Sequence, residues 1–145
     1  MIKEMTEDVA MRLRQHGAAG IALDISYNRD IEDHGFKHQI LLPRRTNKTA
    51  ELCEHFVQLY KKYWDGQSVR QIHVVCSKLQ PAAHEQIDLF TPSELDERRH
   101  VLDETIDQIR DRFDKKAIFH AYSLMKGSTY LQRASHIGGH KGAST

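Results

Sequence analysis

Apolar residues recur at helical spacing through Ile2, Met5, Val9 and Leu13, and Gly17 supplies a stop, so the pattern predicts a helix over 2–16. In "GIALDISYN" (20–28) the period falls to two: Ile21, Leu23, Ile25 and Tyr27 alternate with small or polar residues, as in a half-buried strand. "NRDIEDHG" (28–35) is turn-like, and "FKHQILLP" (36–43) predicts a second strand ended by Pro43, antiparallel to the first. On it Phe36, Ile40 and Leu42 share a face, with Lys37 and Gln39 opposite. Asn47 can cap a second helix whose apolar side holds Leu52, Cys53, Phe56, Leu59, Tyr60, Tyr63 and Trp64, with Asp65-Gly66 as its breaker. "VRQIHVVCSKL" (69–79) predicts a third strand, with Ile72, Val74 and Cys76 inward and Gln71, His73, Val75 and Ser77 outward.

The expected fold is therefore α+β: an antiparallel sheet with two helices on one face and the other face open. That open face would show Lys37, Gln39, Gln71, His73 and Ser77, with Asp24 as its one carboxylate. Beyond it, Pro81 and Pro92 enclose a connector containing "EQIDLF" (85–90), three large apolar residues in a segment that prolines keep out of helix and central strand. Ser93 can then cap a third helix with a stripe of Leu95, Leu102, Ile106, Ile109 and Phe113. "AIFHAYSL" (117–124) predicts a short strand, "YLQRASHI" (130–137) a short helix, and "GGHKG" (138–142) the end of the structured part.

At 145 residues the chain can bury a core as one domain, or as one domain with a structured tail, and 39% hydrophobic content is ordinary for a globular protein. No apolar run reaches membrane-spanning length and no signal-peptide pattern opens the chain. Cys53 and Cys76 lie within apolar patterns and are expected as reduced, buried thiols of a cytoplasmic protein. The net charge of +1 hides an asymmetry. Residues 1–92 carry 12 basic and 12 acidic side chains; residues 93–114 carry 4 and 8; residues 115–145 carry five cations and no acid, a composition suited either to a polyanion or to the acidic helix before it.

Motifs of catalysis are sparse. Asp103, Asp107 and Asp111 have the i,i+4 spacing of a solvated helix surface. No cysteine pair has zinc-ligand spacing, and His136 and His140 flank flexible "IGG", so no metal site is expected. No glycine-rich phosphate loop follows a strand, and Ser123 and Ser135 lack an oxyanion or elbow context.

Seven stretches carry a family resemblance: "EMTEDVAMRLR" (4–14), "GFKHQILLP" (35–43), "VRQIHV" (69–74), "EQIDLF" (85–90), "ERRHVLDETIDQIRDRF" (97–113), "AIFHAYSL" (117–124) and "LQRASHIGGHKG" (131–142). In this order they resemble the C-terminal region of the Y-family, UmuC/DinB-like translesion DNA polymerases of the Gram-positive UV-damage repair type. The resemblance implies that residues 1–80 are the little finger, the DNA-gripping domain of these enzymes, that 81–92 are a linker, and that 93–145 are a helical extension. It implies DNA contacts from Lys37, Gln39, Arg44, Arg45, Gln71, His73 and Ser77, the two arginines meeting phosphate beside the start of the second helix. "QIDLF" resembles the pentapeptide that binds the bacterial sliding clamp, the β subunit of DNA polymerase III, with Gln86, Ile87, Asp88, Leu89 and Phe90 as its contacts.

The expected partners are thus damaged or primer–template DNA and the clamp, with no membrane. The family has a further strand before the first helix, and the catalytic palm, with its Mg2+ carboxylates, also lies upstream. The chain is accordingly expected to be a non-catalytic, cofactor-free fragment, in which 117–124 is a candidate to pair with the edge left by the absent strand. The alternative is an interaction module that docks on the clamp or repair proteins without touching DNA.

Overall fold

The computed structural model describes residues 1–28, 36–82, 93–137, 140 and 141. Helix α1 (Ile2–Gln15) leads into strand β1 (Ala18–Asn28), followed by β2 (Phe36–Thr46), α2 (Thr49–Tyr63), β3 (Gln71–Ser77) and a two-residue β4 (Gln80–Pro81). The turn expected over 28–35 lies, from residue 29 onward, outside the described residues. Gly17 ends α1 with φ at +57°, a left-handed conformation that a side chain would disfavour. Strand β1 is central, antiparallel to β2 on one side and to β3 on the other. Strand β4 continues the register of β3 along β1, after an interruption at Lys78, whose φ is +54°.

Helices α1 and α2 pack together on one face of this sheet. Leu23, Ile25 and Tyr27 of β1 meet Ala10 and Leu13 of α1 and Leu52, Phe56 and Leu59 of α2, all buried. Alternation in β1 and 3.6-residue periodicity in the helices thus converge on one core, as the sequence pattern predicts. The expected α+β class, with two helices on one face of an antiparallel sheet, is the observed one.

Three local expectations are corrected. Strand β2 does not stop at Pro43 but runs to Thr46, because a bulge opposite Gly20–Ala22 absorbs the missing donor. The N-cap of α2 is Lys48, not Asn47; the Asn47 amide instead donates to the Ala18 carbonyl (3.2 Å). Residues 117–124 form no strand and do not fill a sheet edge. Ala121–Leu124 are one 3₁₀ turn, and Tyr122 donates its hydroxyl to Glu7 of α1, on the helical side of the sheet.

After Ser93 the chain builds a layer over the helices. It consists of α3 (Ser93–Phe113), the 3₁₀ turn, α4 (Tyr130–Ala134) and a two-stranded ribbon of β5 (His136–Ile137) and β6 (His140–Lys141). Charge holds this layer. The Arg14 guanidinium grips Asp107 bidentately (2.6 and 3.0 Å), reaches Asp103 (3.3 Å), and donates to the Asn47 carbonyl (2.9 Å) and the Thr49 hydroxyl (3.0 Å). Asp103 also accepts the Thr49 backbone N–H (3.0 Å), so a carboxylate from α3 caps α2.

Glu7 is buried in α1 and pairs with Arg110 (2.9 Å), while Arg133 pairs with Asp8 (2.7 Å). Lys48 meets Asp96 at 3.3 Å. The carboxylates of α1 and the cations of the extension therefore neutralise one another, Glu7 with Arg110 out of water and Asp8 with Arg133 at the partly exposed edge.

Removing one partner of a buried pair strands the other, at about 3–5 kcal/mol. Arg14→Ala leaves Asp103 and Asp107 one helical turn apart without their shared cation. We expect it to lower the thermal midpoint by roughly 10 °C, measured by circular dichroism; a loss below about 1 kcal/mol would show that α3 is not held this way.

Candidate nucleic-acid interface

Both helices lie on one side of the sheet, and among the described residues the other side is uncovered. Strand register fixes what it shows. Lys37 and His73 flank Ser26 in one row; Gln39 and Val75 flank Asp24 in the next; Leu41 and Ser77 flank Ala22; and Gln71 stands beside Asn28. Lys37, Gln39, Gln71 and His73 are exposed and Ser77 is half-buried, so the structure brings together the five sheet residues expected from alternation.

The register also answers the difficulty of Asp24. Its carboxylate sits at the centre of the face but accepts from the Gln39 amide (2.8 Å) and the Ser77 hydroxyl (3.4 Å). Two of the expected contact residues are thus partly engaged in covering a negative charge. Lys37 and His73, one row away, form no ion pair among the described residues, and they leave that edge cationic or neutral. Sequence reasoning left Leu41 (61% exposed) and Val75 (49%) out of the site, although the alternation that selected Lys37 and Gln39 also turns Leu41 outward. They give the face apolar spots among its polar groups.

The two arginines part company. Arg44 is half-buried and pairs with Glu51 of α2 at 2.5 Å, whereas Arg45 is exposed. Both line a cleft of about 490 Å³ between the strand ends and α3, together with Thr46, Gln80 and His100. At the start of α2 beside these arginines, the Thr49 N–H is already accepted by Asp103.

Cys53 and Cys76 are free. Burial pushes both thiols up to about 11, with the charge of Glu7 adding to the first and that of Asp24 to the second, so both are protonated at neutral pH. No group of metal-ligating side chains occurs among the described residues, and none of their helices is long and apolar enough to cross a membrane. The stretch Gln86, Ile87, Asp88, Leu89 and Phe90 lies outside the described residues.

A polar sheet face backed by two helices, with its charges spread across the strands, defines a surface-presenting α+β domain. Its sequence matches the impB/mucB/samB family C-terminal domain over residues 1–89, and the chain belongs to that family. Over 97% of its length it is 34% identical to UvrX of Bacillus subtilis (strain 168), a protein named as a candidate for UV-damage repair. Over the same share it is 32% identical to the proteins named DNA polymerase IV 2 of Halalkalibacterium halodurans and of Bacillus subtilis (strain 168). It spans about a third of the length of these relatives, 34% in each case. The resemblance carried by the seven ordered stretches is borne out, and it extends through the residues after 89.

Proposed function

We propose that this chain is the DNA-gripping and clamp-tethering part of an error-prone translesion polymerase, with bond-making residues supplied by other parts of that enzyme. Residues 1–80 act as the gripping unit, 81–92 as the tethering linker, and 93–145 as an extension that braces the first helices. The observation that carries this reading is the uncovered sheet face, whose rows offer Lys37, Ser26 and His73, then Gln39 and Asp24, at strand spacing.

A polymerase that passes distorted bases needs a grip that ignores base identity. Phosphate contacts supply affinity without sequence information, and short polar groups with a few cations suffice to position a duplex. Lys37 and Arg45 serve as the cations, with Gln71, His73, Ser77 and Gln39 as neutral donors. Arg44 contributes less directly, because Glu51 already holds it. Asp24 limits affinity, which suits an enzyme that must leave the template after a short tract.

The segment Gln86–Phe90 tethers this grip. The Gln86 amide both donates and accepts, fitting a small polar subsite. Leu89 and Phe90 each contribute about 1.5–3 kcal/mol when buried in a partner's apolar pocket. Ordering the linker offsets much of that, so micromolar affinity for the bacterial clamp is expected.

Two measurements test the two halves separately. Lys37→Ala with Arg45→Ala should weaken binding to duplexes of unrelated sequence equally. It should also flatten the slope of log affinity against log salt by roughly 2; unchanged binding in a fluorescence titration would remove the sheet face from the site. Leu89→Ala with Phe90→Ala should abolish binding to the purified clamp by surface plasmon resonance while duplex affinity stays as it was. Retained clamp affinity would refute the tether, and retained clamp affinity in a chain that never binds duplex would favour an interaction module alone.

A further inference from the structure

Helix α3 is docked by its charged side. Asp96, Asp103 and Asp107 face Lys48 and Arg14, while Arg110 faces Glu7. The apolar stripe expected as its core face therefore turns to the side of the docked face and stays largely in solvent. Leu95 is 57% exposed, Leu102 55% and Phe113 62%, with Ile106 and Ile109 half-buried between them. The spacing is that of a helix–helix seam. Leu95, Leu102 and Ile109 repeat every seven residues, and Ile106 and Phe113 fall four residues after the second and third of them. The seam is roughly 27 Å long at 1.5 Å per residue, so it offers a partner five anchors over about five turns of helix.

Charge says which partner. The flank away from the domain carries Arg98 and Arg112, both exposed, with Arg99 on the seam and Glu94 as the one carboxylate beside them. The other flank is filled by the contacts to α1 and α2. Two copies paired antiparallel would set equivalent flanks face to face, bringing Arg98 of one against Arg112 of the other. A parallel pair would need the flank that the domain already covers. We propose that this seam docks a single amphipathic helix of another protein, with apolar residues on its inner face and carboxylates along the edge that meets Arg98 and Arg112.

The test uses the full chain and two synthetic helical peptides about three heptads long. Both carry leucine at the seam positions; one has glutamate along its flanks and the other lysine. Fluorescence anisotropy at low salt should give at least about tenfold tighter binding of the glutamate peptide, shrinking as salt screens the pair. Arg98→Glu with Arg112→Glu should invert that order, and Leu102→Asn should weaken both peptides. These three side chains are exposed, so helicity and Trp64 emission serve as controls that the fold persists.

Equal binding of the two peptides, or binding indifferent to Arg98→Glu with Arg112→Glu, would overturn the proposal. So would self-association in the ultracentrifuge that Leu102→Asn abolishes, which gives the seam to a second copy. Peptide binding that appears only after Leu89→Ala with Phe90→Ala would likewise overturn it, giving the seam to this chain's own linker.

Discussion

The Arg14 guanidinium spends its donors on two carboxylates of α3, the carbonyl before α2 and a hydroxyl inside α2's first turn. Much of the molecule follows from that choice. Asp103, brought in by Arg14, accepts the Thr49 N–H and closes the positive end of α2, so this helix terminus is occupied by an internal anion. The same contacts fix the rotation of α3 about its axis. A helix held by its acidic side has to turn its leucines outward, and burial of apolar area yields here to pairing of buried charge.

That arrangement separates two surfaces. The helices and the extension stack on one side of the sheet, and the extension is neutralised against α1 through Glu7–Arg110 and Asp8–Arg133. The excess of cations after residue 115 is thereby partly consumed inside the protein and is not all free to meet a polyanion. The opposite side keeps its polar rows, which carry few charges. Asp24, covered by Gln39 and Ser77, places a negative charge in the middle of that surface.

Strands β1–β3 and the open face were legible because period-two alternation assigns each side chain to one side without any tertiary knowledge. Strand β2 beyond Pro43 was hidden, since a proline reads as a stop unless a bulge removes the need for its donor. The length of α3 was legible from its cap and stripe, but its orientation was not, because it depends on an arginine about ninety residues earlier in the chain. The alternation in "AIFHAYSL" suggested a strand. Turn hydrogen bonds instead satisfy this backbone, Ala117 to Asp114 and Ser123 to His120, and Tyr122 is claimed by Glu7. That Lys37, Gln39, Gln71 and His73 share the open face was legible from pattern alone; the pairing of Arg44 with Glu51 lies across a strand–helix junction that spacing does not encode.

The central claim is that duplex DNA lies on the bare sheet and leaves the charge-docked extension untouched. Amide chemical-shift mapping of the isotope-labelled chain during titration with a short duplex addresses it most directly. The account predicts shifts at Ser26, Lys37, Gln39, Gln71, His73 and Val75, with α3 and α4 unmoved. Shifts gathered on residues 98–133, with the strands silent, would contradict it.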